Sequence, residues 1–374
     1  MHVLHVVGAR PNFIKAAPLL RALDSKKGIR QSLVHTGQHY DRNMSEVFFK
    51  QLGMREPDVN LGVGSASHAQ QTAQIMAELE PKRLARSPDL TLVYGDVNST
   101  LAATLVCVKL LMPVGHVEAG LRSYDRTMPE EINRVVTDSL SDLLFTPSVD
   151  GDENLLNEGV DRAKIHLVGN VMIDSLVRVR DRAEKLWPLE HIESPSDWGD
   201  STGLRDAIEG AFGLVTLHRP SNVDDEASFL PILSALTEIA HDLPLVMPVH
   251  PRTAAKLRSA GIASGKNFWL VPPLGYLEFL LMQSKALVVI TDSGGVQEET
   301  TFLGVPCITL RSNTERPVTV SLGTNVVIGG DMERLKREVN ALLAGEAKVG
   351  AVPPLWDGHT APRIADIIAG EGTA

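Results

Sequence analysis

Residues 2–20, HVLHVVGARPNFIKAAPLL, join an apolar run to a helical pattern through a single glycine, and this junction predicts the fold class. The run at 3–7 is short and mostly apolar, as in a strand covered on both faces. Pro11 suits the first turn of a helix. Arg10 and Lys15 add positive charge at the start of that helix, where backbone amides already favour anions. The junction therefore predicts a buried strand, a helix and an anion-binding turn between them.

Short apolar runs alternate with helical patterns along the whole chain, and the alternation occurs twice. Apolar strands separated by helices predict βαβ units and a parallel sheet covered on both faces. We therefore predict an α/β protein with two Rossmann-like, doubly wound domains. The segments predicted as strands are 3–7, 31–35, 90–94, 113–117, 143–146, 165–167, 213–217, 245–248, 269–271, 286–291 and 307–310. The segments predicted as helices are 11–23, 67–80, 99–111, 129–141, 226–240, 251–259, 275–283 and 295–303.

The domain boundary is predicted near a charged helix at 171–186. The polar stretch that follows, WPLEHIESPSDWGDSTG, is the best linker candidate. We assign 1–170 to an N-terminal domain and 171–359 to a C-terminal nucleotide-binding domain, with a helix at about 360–372 packing back on the first. Two such sheets direct their ligand loops toward a shared crevice, so the active site is expected in the interdomain cleft.

The composition is that of an ordinary globular protein, with 43% hydrophobic and 22% charged residues, so both domains can bury a core. The formal net charge of −10 speaks against nucleic acid or an anionic membrane as a partner. No apolar run reaches about 18 residues and the chain starts directly with a strand, so we expect no signal peptide, no membrane span and a cytoplasmic protein. Cys107 and Cys307 lie in apolar stretches and are expected as buried thiols.

Carboxylates follow the strands of the first half. Asp96, in YGDVNST, comes just after the strand at 90–94 and is either a helix N-cap or a functional acid. Glu118, in HVEAGLRS, follows an apolar run, and partial desolvation there suits proton transfer. Glu130 and Glu131 open the next helix, where they serve either the helix dipole or the chemistry.

Two histidines and a glycine turn follow the strands of the second half. His218 and His250 each end a strand of one predicted sheet. In VVITDSGGVQEE, the turn Ser293-Gly294-Gly295 lets a phosphate approach the free amides of a helix start. No Lys-Ser or Lys-Thr pair follows, so this turn is not an ATP-cleaving P-loop.

Other motifs fail on context. LGVGSAS at 61–67 begins like a dinucleotide fingerprint, but a serine replaces its third glycine and no strand precedes it. The sequence has neither a Cys/His metal cluster nor a nucleophile elbow. What remains is a diphosphate cradle, cations, two histidines and at least three carboxylates, which is typical of an enzyme acting on a nucleotide sugar.

Taken together, these motifs resemble the non-hydrolysing UDP-N-acetylglucosamine 2-epimerase family, from residue 3 to about residue 368. The resemblance implies a two-domain fold of the glycosyltransferase-B type, a homodimer, a UDP-sugar substrate, no redox cofactor or metal, and a place in cell-surface polysaccharide biosynthesis. Its markers are GARPNFIK, TGQH, YGDVNST, HVEAGLRS, PEEINR, GNVMIDSL, HR, PVHPR, TDSGGVQEE and TERP.

The resemblance also implies roles for individual residues. Asp96, Glu118 and Glu130 match the acid/base carboxylates of the family, and His218 matches its diphosphate-side histidine. The implied substrate contacts are phosphate and nucleotide ligands at Arg10, Lys15, Ser293, Gly294, Gly295 and Arg316, a ribose ligand at Glu299, a uracil site at Leu274 and Phe279, and an activator-site neighbour at His250.

The implied mechanism needs no redox step. Departure of UDP from C1 gives the sugar oxocarbenium character, which acidifies the hydrogen at C2. Loss of that proton gives a 2-acetamidoglucal, and reprotonation on the opposite face followed by return of UDP gives the manno isomer. Acid/base groups must reach both faces of the ring, and cations and amides must stabilise the diphosphate.

Two departures from the family pattern leave alternatives open. Asn12 and Phe13 stand where much of the family has Glu and Ala. YDRNMSE follows TGQH where many members have Met-Leu-x-Gln, and this second departure argues against activation by substrate. The motifs GARPNFIK and HTGQHYD also resemble the branch that epimerises UDP-2,3-diacetamido-2,3-dideoxyglucuronate. A glycosyltransferase of the same fold and a nucleotide-sugar sensor without turnover are the more distant alternatives.

Overall fold

The computed structural model describes residues 1–37, 49, 51–187, 189, 192–223, 225–249, 251–259, 261 and 264–370. The chain forms two compact units, one made of Met1–Arg178 with Pro354–Ala374 and the other of Val179–Pro353. Each unit is built on one parallel sheet, so the prediction of two Rossmann-like α/β domains is confirmed.

The first unit contains a seven-stranded sheet in the order β3-β2-β1-β4-β5-β6-β7. Its strands are β1 His2–Val7, β2 Arg30–His35, β3 Val59–Asn60, β4 Leu90–Tyr94, β5 Val114–Val117, β6 Leu143–Thr146 and β7 Ile165–Leu167. Its helices are α1 Arg10–Asp24, α2 His68–Arg86, α3 Asn98–Lys109, α4 Pro129–Leu140, α5 Val149–Asn157 and the start of α6 Val171–Glu184, with a short 3₁₀ helix at Arg162–Lys164.

The second unit contains a six-stranded sheet in the order β10-β9-β8-β11-β12-β13. Its strands are β8 Gly213–Thr216, β9 Leu245–Pro248, β10 Phe268–Val271, β11 Val288–Thr291, β12 Cys307–Thr309 and β13 Asn325–Val327. Its helices are α7 Leu204–Glu209, α8 Pro220–Val223, α9 Glu226–Ile239, α10 Pro251–Ser259, α11 Tyr276–Lys285, α12 Gly294–Leu303, α13 Pro317–Ser321 and α14 Met332–Leu343.

Strand order reverses once in each sheet, between β1 and β4 in the first and between β8 and β11 in the second. In open parallel sheets, ligands bind outside the carboxyl ends of the strands at such a switch point. The turn from β1 into α1 and the turn from β4 into α3 meet at the first switch point. The loop after β8 and the turn from β11 into α12 meet at the second switch point. The topology therefore identifies these four loops as candidate ligand-binding loops.

The stretch predicted as the linker between the two domains contacts the second unit. In the stretch 187–203, the favoured linker, Trp198 joins the apolar core of the second unit and Ser194 donates to the carbonyl of Leu270. The division between units instead falls within α6, after Arg178. Ser194 and Trp198 of this polar stretch therefore belong to the second unit.

The chain end returns to the first unit as helix α15, Thr360–Ile368. Asp174 of α6 accepts hydrogen bonds from the first amides of α15, at 3.1 Å from Thr360 and 2.7 Å from Ala361. The indole of Trp356 donates to the carbonyl of Pro147 at 2.9 Å. The cap from Asp174 and the hydrogen bond of the buried Trp356 indole therefore hold the last helix against the first unit.

Both cysteines are buried thiols, as predicted. Within the described ranges, no helix combines the length and the apolar character needed to cross a membrane.

Candidate functional site

The predicted residues of the first unit follow three adjacent strands. Arg10 begins α1 after β1 and Lys15 lies in the second turn of that helix. Asp96 follows β4, and Glu118 follows β5. Glu130 lies in the first turn of α4, at the end of the loop that leaves β5. Because β1, β4 and β5 are neighbours in the sheet and parallel, their carboxyl ends bring these loops to one edge.

Lys15 and Glu118 form an ion pair in which both side chains are buried. The pair lies against Gly95, whose φ is +59°, and a Cβ there would come 3.1 Å from the Glu118 carboxylate and still closer to the Lys15 ammonium. A side chain at position 95 would therefore separate the two charges. The sequence assigns Lys15 to the diphosphate, whereas here its ammonium neutralises a candidate acid/base group.

Glu118 holds a backbone conformation that few residues with side chains adopt, with φ at +73°. Such strain costs about 1–3 kcal/mol and persists where the surroundings enforce it. The amides of Glu118 and Ala119 both donate to the carbonyl of Phe145, at 3.1 and 3.0 Å. The neighbouring strand thus fixes the turn that points this carboxylate toward Lys15.

A buried polar network stabilises the loop that contains Glu118. His116 contacts the Asp138 carboxylate through Nδ1 at 2.6 Å and the carbonyl of Gly95 through Nε2 at 2.8 Å. Asp138 also accepts from the Gly120 amide at 3.1 Å and from Arg122 at 2.7 Å. Burial alone would raise the pKa of Asp138, but the bonds and charges of His116 and Arg122 outweigh it and lower that pKa.

Buried Arg134 joins the partly exposed Asp96 to the buried Glu131 in a second ion cluster. Asp96 does not cap α3, whose N-cap residue is Val97 without a side-chain cap. The carboxylate of Asp96 pairs with Arg134, and Asp96 lies one residue before the N-cap position of the helix.

The adjacent glutamates of α4 have different surroundings. Glu131 is buried and accepts from the amides of Ser123 and Tyr124, at 3.0 and 2.8 Å. Burial would raise its pKa, but these amides and Arg134 lower it, so Glu131 anchors the loop as a carboxylate. Glu130 is half-buried, and among the described residues no hydrogen bond or ion pair is assigned to it. Of the two, Glu130 has the carboxylate that remains available for chemistry.

In the second unit, the predicted phosphate turn starts α12. Ser293 is its N-cap residue, and Gly294 and Gly295 are its first two residues, with no acidic side chain in the first turn. A Cβ on Gly294 would overlap the Arg316 guanidinium and lie 2.7 Å from Oε1 of Glu315. Glycine at 294 thus lets an arginine approach the free amides of the helix start, which together favour an anion.

Buried carboxylates hold the arginines beside this turn. Glu315 binds Arg316 through Oε1 and Arg311 through Oε2, the latter at 2.6 Å. Nε of Arg316 lies 3.0 Å from the Glu298 carboxylate. The guanidinium groups are therefore fixed before any ligand arrives, which is the arrangement that stabilises developing charge without reorganisation.

His218 lies beside the same turn and contacts Asp292. Its Nδ1 is 2.8 Å from the carboxylate of Asp292, which is fully buried, while the imidazole is 61% exposed. Burial would raise the pKa of Asp292, but the hydrogen bond and charge of His218, with donors from Arg219 and Asn222, lower it. The ring therefore presents its outer edge next to the phosphate turn.

The predicted nucleoside residues lie around α11 and α12. Glu299 is buried and accepts from Tyr276 at 3.0 Å and from Gln283 at 2.7 Å, and burial raises its pKa. Leu274 and Phe279 are half-buried, one just before α11 and the other within it. His250 lies outside the described residues.

Several residues of these sites are absent from the predictions made from the sequence. Asp292 and Glu315 lie inside the motifs TDSGGVQEE and TERP. From the sequence, roles are predicted for their neighbours in these motifs but not for Asp292 or Glu315. Arg134 lies three residues after Glu131, a spacing that places both on one helix face. His116 lies within a strand, where a buried histidine gives no signal in the sequence. Among the described residues, no cluster of three or more His, Cys, Asp or Glu side chains could hold a metal ion.

Comparison with known proteins gives consistent matches along the chain. The profile of a family described as UDP-N-acetylglucosamine 2-epimerase matches residues 21–369. A UDP-N-acetylglucosamine 2-epimerase of Methanocaldococcus jannaschii is 41% identical, with 97% of both chains covered. A UDP-2,3-diacetamido-2,3-dideoxy-D-glucuronate 2-epimerase of Pseudomonas aeruginosa is 40% identical, with 99% of both covered.

Solved structures give the same result for the fold. The M. jannaschii UDP-GlcNAc 2-epimerase in complex with UDP-GlcNAc and UDP superposes with a TM-score of 0.87 at 39% identity, covering 99% of this chain and 100% of that one. The Neisseria meningitidis enzyme bound to UDP-GlcNAc gives a TM-score of 0.84 at 28% identity, with the same coverage.

Proposed function

Because the chain belongs to the UDP-N-acetylglucosamine 2-epimerase family, whose members are isomerases, we propose that it interconverts UDP-N-acetylglucosamine and UDP-N-acetylmannosamine. The observation that carries the proposal is the grouping of Asp96, Glu118 and Glu130 after adjacent parallel strands, with a cation bound to each of the first two. Inversion at C2 without a redox step needs such proton-transfer groups.

In this scheme, residues of the second unit stabilise UDP as it leaves the sugar. The amides at Gly294 and Gly295, together with Arg316, bind the diphosphate and stabilise its charge as the C1–O bond breaks. His218 stands beside the diphosphate and donates a hydrogen bond to it. Arg10 and Ser293 complete the phosphate contacts, Glu299 binds the ribose, and Leu274 and Phe279 contact the uracil.

The first unit supplies the proton transfers. After UDP leaves, a carboxylate removes the acidified C2 proton to give 2-acetamidoglucal, and a second carboxylic acid delivers a proton to the opposite face. UDP then returns to C1. The ammonium of Lys15 pairs with Glu118 and the guanidinium of Arg134 pairs with Asp96, whereas no ion pair or hydrogen bond is assigned to Glu130 among the described residues.

A specific observation favours a second candidate substrate. The P. aeruginosa relative, named for UDP-2,3-diacetamido-2,3-dideoxy-D-glucuronate, is about as similar as the archaeal one. The chemistry at C2 is the same, and the uronate adds a carboxylate at C6 that requires a cation.

Proton NMR of the reaction distinguishes the candidates. Purified enzyme is incubated with each UDP-sugar in turn, and the anomeric signals of the gluco and manno isomers are followed. We expect the manno product to form from UDP-N-acetylglucosamine at the higher kcat/KM. A faster reaction of the diacetamido uronate would reassign the substrate, and transfer of either sugar to an acceptor with C2 unchanged would refute the proposal.

The assembly and location are part of the same proposal. We propose a homodimer in the cytoplasm, supported by the family and by two buried thiols, which suit a reducing compartment. Light scattering coupled to gel filtration measures the mass, and a mass near 40.5 kDa at micromolar concentration contradicts the dimer.

A further inference from the structure

The loop after β8 is held to the turn before α12 by one buried carboxylate. Asp292 accepts hydrogen bonds from the backbone amides of His218 and Arg219, at 3.1 and 3.0 Å, and from Nδ2 of Asn222 at 3.1 Å. Its own carbonyl accepts from Nε of Arg219 at 3.1 Å. Four donors from one short segment therefore converge on a residue that immediately precedes Ser293.

The contact between Asp292 and His218 also fixes the imidazole chemically. The Asp292 carboxylate is fully buried, lies 2.8 Å from Nδ1, and its other donors favour its ionised state. An ionised carboxylate only accepts hydrogen bonds, so Nδ1 must carry the proton. The exposed Nε2 then accepts a proton in the neutral ring and donates one in the charged ring.

We propose that Asp292 is a positioning residue that acts through His218, by keeping a proton on Nδ1 and fixing the ring plane so that Nε2 faces the leaving diphosphate. The inference rests on the proposed function for its catalytic consequence. Asp292 touches no substrate in this account, because its carboxylate is enclosed by donors from its own unit. The buried aspartate does for this histidine what a buried carboxylate does for a catalytic histidine in other enzymes.

The alternative is a purely structural role, in which Asp292 clamps the loop and His218 needs no help. Asn222 provides the matched control, since its amide donates to the same carboxylate and to the carbonyl of Leu310 without contacting the imidazole. Asn222→Ala removes a clamp bond and leaves the pair of Asp292 and His218 in place.

A double-mutant cycle separates the two roles. We expect Asp292→Asn to lower kcat by about 10²-fold with a KM change below about threefold, and Asn222→Ala to lower kcat by less than about threefold. In a His218→Ala background, Asp292→Asn should cost less than about threefold, because the residue through which it acts is gone. An equal loss of kcat in both backgrounds would overturn the proposal.

Nitrogen-15 NMR of the ligand-free protein tests the same contact without any turnover. In the wild type at neutral pH, the His218 signals should report a proton on Nδ1, and Asp292→Asn should shift both ring nitrogens while Asn222→Ala leaves them unchanged. Unchanged nitrogen shifts in Asp292→Asn refute the positioning role even in an active enzyme. A shifted pattern in a protein with no epimerase activity refutes the proposed function and leaves the tautomer assignment intact.

Discussion

Glu118 combines three features at a single residue: burial, an ion pair with Lys15 and a left-handed backbone. A residue chosen only for stability would adopt an ordinary backbone and avoid burying a charge. The sequence points to this residue because a carboxylate between an apolar run and Ala-Gly is unusual. It gives no indication of the partner, because Lys15 is 103 residues away along the chain.

Replacing Glu118 tests its assignment directly. Glu118→Gln keeps the shape of the side chain but removes the proton-transfer group, so turnover should fall by about 10²–10⁴-fold while UDP affinity changes little. Asp96→Asn should behave in the same way. Steady-state kinetics and calorimetric titration with UDP measure the two effects, with Glu333→Gln, an exposed residue of α14, as the control. Normal turnover in both Glu118→Gln and Asp96→Asn would refute the assignment.

Gly294 allows a second prediction at the scale of one residue. Because a Cβ at 294 would overlap the Arg316 guanidinium, Gly294→Ala should displace that cation and weaken UDP binding about tenfold, which corresponds to about 1.4 kcal/mol. Gly330→Ala is the control, since its Cβ would meet no atom within 4 Å. Calorimetry with UDP measures both variants, and equal affinities would show that Arg316 does not contribute to the phosphate site.

The strands and the helices between them are predictable, because strands that are buried on both faces appear in the sequence as short apolar runs. Strands 90–94, 143–146, 165–167 and 245–248 have the bounds predicted from the sequence. The strands β3 and β13 were missed because each lies at a sheet edge and has only two or three residues. Helices α5 and α14 were also missed, since both are rich in polar residues and lack long apolar runs.

The network under Glu118 joins strand β5 to helix α4 and predicts a pH effect on stability. The pKa of Asp138 is lower in the folded protein than its ordinary value of 3.8, because His116 and Arg122 outweigh burial. Its contribution is therefore present above about pH 4 and is lost as pH falls through the folded pKa. Asp138→Asn should destabilise the protein by about 3 kcal/mol at pH 7, since Arg122 and His116 lose a buried partner.

Urea unfolding between pH 7 and pH 3 measures this effect. The difference in the free energy of unfolding between wild type and Asp138→Asn should shrink as pH falls below about 4. Asp142→Asn is the control, because Asp142 is exposed and its side chain accepts from the amide of Val114, not from His116 or Arg122. A constant difference across the range would show that Asp138 is not held as a carboxylate.

Both units are built on a parallel sheet whose strand order reverses once, and the two switch points carry different side chains. The switch point of the first sheet gathers carboxylates, and that of the second gathers amides, arginines and His218. The sequence allows prediction of both sets because loops after apolar strands stand out. It leaves the supporting partners Arg134, Glu315 and Asp292 unassigned, since ion pairs between distant elements depend on the folded geometry.

In the proposed reaction, the proton at C2 is lost and a proton from solvent is added on the other face. The most direct measurement is proton NMR and mass spectrometry of the UDP-sugars after partial reaction of UDP-N-acetylglucosamine in D₂O. We expect one deuterium at C2 of the manno product and, as the reaction reverses, at C2 of the recovered substrate. Formation of the manno isomer with hydrogen retained at C2 would contradict it.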